Sequence, residues 1–312
     1  MSPRFVNPFT DIGFKIIFGQ EASKELLIVL LNELLSGEHH IEDLTFLDKE
    51  DYSENIHDKG IIYDLYCRTS TGEYIIVEMQ NRRHSYFLDR TLYYVCRAVS
   101  RQIEKPSALK VRVPDPRPEE DFGMVREAEM PYGNCYRLPT VYGIFLMNFK
   151  EKDLEKKFRT DTVITDRENG RVVNPHFRQI YLQFPYFTKE LDECVTLSDK
   201  LMYALKNMNN WNRMPDALKE QVFRHLDHLA AKAHLSESDR IAYDRAVDSF
   251  YVSRIVENDI REEGRTEGRE EGRAEGRAEE RLSIARMLKL NGVSPEMISS
   301  STGLSLEEIA RL

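Results

Sequence analysis

Two short apolar runs in the first third of the chain are separated by a polar turn. The runs cover residues 61–68 and 74–80 and are rich in β-branched and aromatic side chains, while residues 69–73 are polar and contain one glycine. Two such runs joined by a short glycine-containing segment are typical of a β-hairpin. The pattern therefore predicts two antiparallel strands over these residues.

The register of this hairpin places two acids against each other. If Arg68 lies opposite Tyr74, then Asp64 lies opposite Glu78, and Gln80 follows on the same face two residues later. Directly opposed side chains have Cβ atoms about 5 Å apart, where like charges destabilise a sheet. Facing carboxylates at the edge of an apolar surface therefore indicate a metal-binding site, because a bound divalent cation would turn their repulsion into coordination.

The remaining apolar patterns alternate between helix and strand. Apolar faces with a period near 3.6 residues predict helices, and short β-branched or continuous apolar runs predict strands. The predicted strands cover residues 41–47, 138–149, both sides of a turn at 169–170, and 180–187. The predicted helices cover residues 22–36, 86–104, a helical region at 195–260, and three short helices at 284–312. Interleaved strands and helices indicate an α/β protein.

Composition divides the chain into successive regions. A charged, proline-rich stretch at residues 107–132 predicts an exposed insertion within a core that we predict to cover residues 1–190. Beyond the core we predict a helical region at 191–260, a Glu-Gly-Arg repeat at 261–281, and a small helical element at 282–312.

Composition and charge also restrict the classes of function. No stretch approaches the roughly 20 apolar residues that span a bilayer, and the first residues lack the apolar segment of a signal peptide, so we expect a cytoplasmic protein without membrane partners. The four cysteines have no paired spacing, which is typical of reduced thiols rather than of a zinc site. The formal net charge of -9 disfavours a large non-specific nucleic-acid surface, so DNA binding requires a local basic patch.

The facing acids have two interpretations on residue chemistry alone. In one, the hairpin faces solvent, and its acids are incidental or form salt bridges with arginines. In the other, Asp64 and Glu78 bind a hard cation through oxygen, which selects Mg²⁺ or Mn²⁺. Such an ion polarises a phosphodiester and activates a bound water for in-line attack. The amide of Gln80 would then orient the water or the phosphate, since it cannot accept a proton.

A basic patch follows the hairpin. Between Gln80 and Arg112 the chain has eight Lys or Arg against two acids, and Arg90, Arg97 and Arg101 lie on one face of the predicted helix with tyrosines beside them. These arginines either contact DNA phosphates, with the tyrosines stacking on bases, or form an ordinary solvated face that pairs with acids elsewhere. Proximity to the facing acids favours phosphate contact.

Five segments and the tail carry a family resemblance: residues 10–18, 59–67, 77–80, 90–94 and 138–146, together with the Glu-Gly-Arg repeat. In combination they resemble the PD-(D/E)XK nuclease superfamily, and more narrowly the Rpn family of recombination-promoting nucleases and putative transposases. The resemblance implies a restriction-endonuclease-like core in which a mixed sheet is flanked by helices. It also implies that Asp64 and Glu78 hold the metal of a DNA endonuclease linked to bacterial recombination or mobile elements.

One position departs from the superfamily pattern. Gln80 stands where most members have a catalytic lysine, which leaves open what supplies the positive charge that stabilises the phosphorane. Lys15 and Lys59 are both candidates, and we include Lys15 in the predicted catalytic set. Glu33, near the end of the first predicted helix, is either a further metal ligand or a solvated helix glutamate.

Glycine recurs at every fourth position of the tail, at Gly264, Gly268, Gly272 and Gly276. On a helix these glycines form one column beside columns of glutamate and arginine, and small residues let a second helix approach closely. Because each glycine costs about 1 kcal/mol in a helix, an isolated helix here is marginal. The tail is therefore either a self-association element that makes a homo-oligomer or a flexible charged linker.

Two functions from different classes follow. The first is a Mg²⁺- or Mn²⁺-dependent DNA endonuclease whose catalytic residues are Asp64, Glu78, Gln80 and Lys15. The second is a DNA-binding or oligomeric assembly protein on a catalytically degenerate nuclease fold, for which Gln80 and the negative net charge are signs of lost catalysis. Metal-dependent cleavage of DNA would separate them.

Overall fold

The computed structural model of the protein describes residues 3–38, 40–48, 50–51, 61–104 and 138–312. The predicted insertion at residues 107–132 and the candidate Lys59 lie outside the described residues. The chain divides into two units, Met1–Val247 and Asp248–Leu312. The first unit contains the sheet and the facing acids.

Six strands of the first unit form one mixed sheet. The described residues contain eight strands in all: β1 (Leu44–Phe46), β2 (Glu50–Asp51), β3 (Ile61–Ile62), β4 (Leu65–Thr69), β5 (Tyr74–Gln80), β6 (Val141–Met147), β7 (Arg159–Thr165) and β8 (Val172–Gln183). The sheet has the order β1-β4-β5-β6-β8-β7, while β2 and β3 pair with each other. β5 and β6 are parallel, as are β6 and β8, whereas the other neighbours are antiparallel.

Helices of the first unit flank this sheet, as the sequence predicts for an α/β protein, and further helices belong to the second unit. The helices are α1 (Asp11–Phe18), α2 (Lys24–Leu34), α3 (Phe87–Glu104), α4 (Leu197–Asn207), α5 (Gln221–Ala230), α6 (Glu237–Leu290), α7 (Pro295–Thr302) and α8 (Leu306–Arg311). The helices predicted at 22–36 and 86–104 are confirmed as α2 and α3. In the described part of the chain, no helix is both long enough and apolar enough to cross a bilayer.

The close approach of α3 to the sheet depends on a glycine in the middle of β6. All seven residues of β6 are buried, so the strand predicted within residues 138–149 is confirmed and is covered on both faces. A Cβ at Gly143 would lie 2.7 Å from Cγ2 of Val95 on α3, too close for any side chain. Val95 is fully buried in the same core cluster as Ile76 and Phe145. This packing fixes the position of α3, and therefore of its charged residues, over β5 and β6.

The predicted hairpin register is confirmed over four residue pairs. Arg68 lies opposite Tyr74, and the pairing continues to Leu65 opposite Val77. The prediction of one strand over residues 61–68 is wrong, because the run bends at Tyr63 and Asp64 and its first two residues pair with β2 instead. At this bend the Tyr63 ring turns into the core, and its hydroxyl donates to the carbonyl of Tyr94.

The separate strand predicted at residues 180–187 is also wrong. β8 runs without interruption from Val172 to Gln183, and a 3₁₀ turn at Phe184–Tyr186 follows it. Pro185 explains the end of the strand, since proline has no N–H to donate to a neighbouring strand. The turn at Asn169 and Gly170 does join two antiparallel strands, as predicted.

The second unit consists of the C-terminal part of α6 followed by α7 and α8. The helix continues through the Glu-Gly-Arg repeat, and the surroundings of all four repeat glycines are open. The first of the three short helices predicted at 284–312 is therefore the end of α6, and the other two are α7 and α8. Ala285, Ile298 and Ile309 form a small buried core that joins these helices.

Candidate active site

Asp64 and Glu78, which we call the acid pair, lie where β4 and β5 begin to separate. Glu78 is on β5, inside the sheet, and only 2% of its surface is exposed. Asp64 immediately precedes β4, one residue beyond the last strand pair between Leu65 and Val77. The register that is confirmed up to that pair brings Asp64 opposite Glu78, as the sequence predicts.

The two carboxylates are held by backbone N–H groups of the opposite segment. The Asp64 N–H donates to Oε1 of Glu78 at 3.0 Å, and the Met79 N–H donates to Oδ2 of Asp64 at 2.9 Å. Nε2 of Gln80 donates to the second oxygen of Glu78 at 3.2 Å. The acids are therefore oriented before any ligand arrives.

Electrostatics in the acid pair disfavour two bare negative charges. Burial, followed by the charge of Asp64, raises the pKa of Glu78 to about 8. Burial also raises the pKa of Asp64 to about 6, with a contribution from Asp11 and against the opposing effects of the Met79 N–H and Lys15. Without a cation, the pair therefore retains a proton near neutral pH. A divalent cation would offset both the burial and the repulsion.

The start of α1 brings two further charges to Asp64. Asp11 and Lys15 form an ion pair at 3.0 Å, one helical turn apart, and both act on Asp64. The hydroxyl of Thr10 caps this helix by accepting from the Gly13 N–H, which fixes the position of its first turn. Lys15, a candidate cation from the sequence, thus lies beside the acid pair.

Arg90 and Tyr94 of α3 also lie near the acid pair. Nε of Arg90 donates to the Tyr94 hydroxyl at 2.9 Å, and its guanidinium carbon lies 5.0 Å from the centre of the Tyr94 ring. The charge of Arg90 lowers the pKa of Glu78, against the larger effect of burial. The backbone carbonyl oxygen of Tyr94 in turn accepts a hydrogen bond from the Tyr63 hydroxyl at 3.2 Å.

The other two predicted phosphate-binding arginines lie farther along α3. Arg97 and Arg101 are half-buried, and Arg101 lines a cavity of about 210 Å³ with Arg68 and Tyr74. Tyr74 and Glu78 are four residues apart on β5, a distance of about 13 Å along the strand. Among the three arginines, the contacts therefore connect Arg90 most directly with the acid pair.

The donor chemistry of the acid pair fits a hard divalent cation. Magnesium in proteins is commonly bound by one or two carboxylates, with waters and substrate phosphates completing its octahedron. In the described residues, no cluster of three or more His, Cys, Asp or Glu could hold a metal, so Glu33 does not join the pair as a third acid. Asp64 and Glu78 would therefore supply the protein ligands from side chains.

Sequence reasoning missed two features of this region. Asp11 was not singled out, although the spacing of Asp11 and Lys15 by four residues is a local signal for their ion pair. The contact between Arg83 and Glu151 had no local signal, since 68 residues separate them. Nε of Arg83 lies 3.2 Å from both oxygens of the buried Glu151, just beyond the end of β5.

A mixed six-stranded sheet flanked by helices, with a C-terminal helical region, fits a PD-(D/E)XK nuclease-like α/β fold. The sequence model of the PD-(D/E)XK nuclease family transposase matches residues 8–113 and 124–255, and the chain belongs to that family. No curated protein and no solved structure matches the chain. The family assignment confirms the nuclease resemblance inferred from the sequence.

Proposed function

We propose that the protein is a DNA endonuclease that hydrolyses phosphodiester bonds with Mg²⁺ or Mn²⁺ and serves recombination or mobile elements. The observation that supports this most strongly is the acid pair, whose carboxylates are oriented by the backbone N–H groups of Asp64 and Met79 in a chain of the nuclease transposase family. Its substrate would place the enzyme in the cytoplasm of a bacterial cell.

In this proposal, Asp64 and Glu78 hold the cation. The cation supplies a water with a lowered pKa and an electrophilic contact to the phosphate. The burial of Glu78 beside Asp64 favours this role, because both burial and the neighbouring negative charge disfavour a bare carboxylate and a bound cation would offset both effects. The reciprocal backbone hydrogen bonds keep the two carboxylates in place when the site is empty.

Gln80 orients the reacting groups in this proposal. Its Nε2 is engaged by Glu78, which directs the amide along the edge of the acid pair. Its carbonyl oxygen is then suited to accept a hydrogen bond from the attacking water. An amide does not take up the water's proton, so Gln80 positions the nucleophile without acting as the base.

The DNA backbone would cross the exposed face of α3. Arg90, Arg97 and Arg101 provide the positive charge, and Tyr86, whose side chain is 82% exposed at the start of the helix, is available for base stacking. Contacts of this kind carry affinity without reading sequence. DNA binding by this face should therefore weaken steeply as salt concentration rises.

Nicking of supercoiled plasmid tests the proposed function. Purified wild type with Mg²⁺ or Mn²⁺ should convert supercoiled DNA to the open circle, and EDTA should abolish this. Asp64→Ala should be inactive although it binds the same DNA, and Arg245→Gln, an exposed residue of α6, serves as the control for surface substitution. Absence of nicking by wild type across both metals would overturn the proposal.

The second candidate function is that of a DNA-binding or assembly protein on a degenerate nuclease fold. Gln80 favours it, because this position lacks a cation. The continuous helix through the Glu-Gly-Arg repeat also favours it, since an exposed helix with a column of glycines can pack against another helix. Under this candidate, Asp64→Ala would bind DNA and self-associate like wild type, and neither protein would cleave.

A further inference from the structure

A neutral amide at position 80 leaves the proposed reaction without an obvious side-chain cation. Hydrolysis of a phosphodiester builds negative charge on the non-bridging oxygens, and preorganised donors aimed at that charge are usually the largest contribution to catalysis. Among the residues that the structure describes, Lys15 acts electrostatically on Asp64 and Arg90 acts on Glu78. Their immediate contacts distinguish them.

Lys15 is already paired with an acid. Its Nζ lies 3.0 and 3.1 Å from the two carboxylate oxygens of Asp11, one turn earlier on α1. A cation bound to a carboxylate presents little net charge to a phosphate, because the two charges cancel at a distance. The structure therefore supports Lys15 as half of a neutral pair beside Asp64.

Arg90 is held without an acid. Its Nε donates to the Tyr94 hydroxyl, and its guanidinium lies over the Tyr94 ring. Among the described residues, no carboxylate is paired with Arg90, and its two terminal nitrogens have no hydrogen-bond partner. These nitrogens form the fork that matches two phosphate oxygens. Arg90 thus has a guanidinium in a fixed position, and no described carboxylate forms an ion pair with it.

Tyr94 is itself anchored to the segment that carries Asp64. Its carbonyl oxygen accepts the hydroxyl of the fully buried Tyr63, and the two rings meet edge to face at 5.7 Å. Tyr63 is the residue immediately before Asp64. A short chain of contacts therefore runs from Asp64 through Tyr63 and Tyr94 to Arg90, which sets the guanidinium relative to the metal-binding acids.

We propose that Arg90 is the catalytic cation of this enzyme and that Tyr94 is the residue that positions it. The proposal rests on the nuclease function above. As the water oxygen bonds to phosphorus and the bond to one ester oxygen breaks, the terminal N–H groups of Arg90 donate to the non-bridging oxygens. The attacking water loses one proton to solvent and the leaving oxygen takes one proton from solvent, giving a phosphate monoester and a hydroxyl. Arginine keeps its proton throughout, so it acts only as an electrostatic and hydrogen-bonding group.

The test is single-turnover nicking of plasmid at varied enzyme concentration, which separates the maximal rate from half-saturation. Arg90→Gln should lower the maximal rate about a hundredfold, as expected for removing one transition-state donor, with a much smaller change in half-saturation. Arg90→Lys should restore part of the rate, because it returns the charge without the fork. Tyr94→Phe, which keeps the ring but removes the acceptor of Nε, should lower the rate by less than Arg90→Gln.

Controls separate this proposal from the function on which it rests. Arg245→Gln, on exposed α6 and remote from the acid pair in sequence, should cleave like wild type. If wild type does not nick, the nuclease proposal itself fails. If wild type nicks and Arg90→Gln matches its maximal rate, or changes half-saturation alone, the catalytic role of Arg90 is overturned while the nuclease stands. A larger loss of rate in Lys15→Gln than in Arg90→Gln would also overturn it.

Discussion

At the scale of single residues, the acid pair is costly to the fold when it is empty. Glu78 is almost completely buried, yet its neighbours are a second acid and a neutral amide. Backbone N–H groups donate to both carboxylates and fix their geometry. Burial of the acids still costs free energy. A site built for stability would have an arginine here. The arrangement instead suits a bound divalent cation.

The raised pKa of Glu78 makes stability depend on pH. The folded state holds the Glu78 proton up to about pH 8, whereas an exposed glutamate loses it near 4.5. Folding is therefore favoured below pH 4.5, and this contribution is lost as pH rises through 8. In EDTA, the Tm of wild type should fall between pH 5 and 9 more steeply than that of Glu78→Gln. Glu33→Gln, on α2, should follow wild type, and parallel curves for all three proteins would contradict the account.

At the scale of elements, α3 is the helix that places Arg90 and Tyr94 near the acid pair. Gly143 lets it lie close to β6, and the Tyr63 to Tyr94 contact fixes its first half near the acids. Because Arg90 sits on this helix, a small shift of α3 moves the guanidinium relative to the acid pair. In the proposed nuclease, packing at β6 would thereby affect catalysis through the position of α3.

Gly143→Ala tests this packing. The new methyl group would meet Val95 at 2.7 Å, so α3 must move outwards. We expect a loss of about 1–3 kcal/mol in the free energy of unfolding, measured by urea denaturation with Trp211, the single tryptophan, as the fluorescent reporter. Combining it with Val95→Ala should recover part of the loss, since that change removes the obstructing methyls. Simple additivity of the two losses would show that the contact is not the cause.

The contact between Arg83 and Glu151 joins the segment after β5 to the segment after β6. The Glu151 side chain is 2% exposed and also accepts the Lys152 N–H, while Arg83 is 41% exposed. Arg83→Ala leaves a buried carboxylate without its guanidinium, and we expect a loss of about 2–3 kcal/mol, toward the lower end for broken buried pairs because Arg83 is partly solvated. The exposed pair of Arg213 and Asp216 is the matched control, and Arg213→Ala should cost less than about 1 kcal/mol. Equal losses would contradict this assignment.

The sequence predicts the local parts of this architecture and misses the non-local ones. The hairpin register follows from counting residues across a short turn, so the approach of Asp64 to Glu78 could be derived. The fourfold spacing of Arg90 and Tyr94 likewise places them on one helix face. The bend at Tyr63 could not be derived, because its cause is a hydrogen bond to a residue 31 positions away. The same holds for Asp11, whose approach to Asp64 depends on tertiary packing.

At the scale of the whole molecule, the chain combines a nuclease-like unit with a helical unit of different character. The first contains the mixed sheet and the acid pair, and the second contains the repeat and a small core around Ala285. The repeat part of α6 is exposed along its length. In the part of the chain that the structure describes, no atom lies within 4 Å of a Cβ built on any of the four repeat glycines, and we propose self-association through this open column.

Replacing repeat glycines distinguishes association from a simple charged spacer. Gly268→Ala with Gly272→Ala should increase helicity, because alanine favours helix by about 1 kcal/mol per residue. If a second helix packs on this column, the same change should weaken association, seen as a higher dissociation constant in sedimentation equilibrium of the full chain. Thr266→Ala serves as the control, because Thr266 lies two residues before Gly268 and therefore on the opposite face of the helix. An unchanged mass distribution would contradict self-association through the glycines.

In the proposed nuclease, Asp64 and Glu78 act as one metal-binding unit in DNA cleavage. The most direct measurement compares the plasmid nicking rates of wild type, Asp64→Asn, Glu78→Gln and the double variant over a range of Mg²⁺ and Mn²⁺. Groups that act as a unit are not additive, so each single variant should lose as much rate as the double variant, with wild type alone dependent on the metal. Nicking by either single variant at the wild-type rate, or losses that multiply in the double variant, would contradict the account.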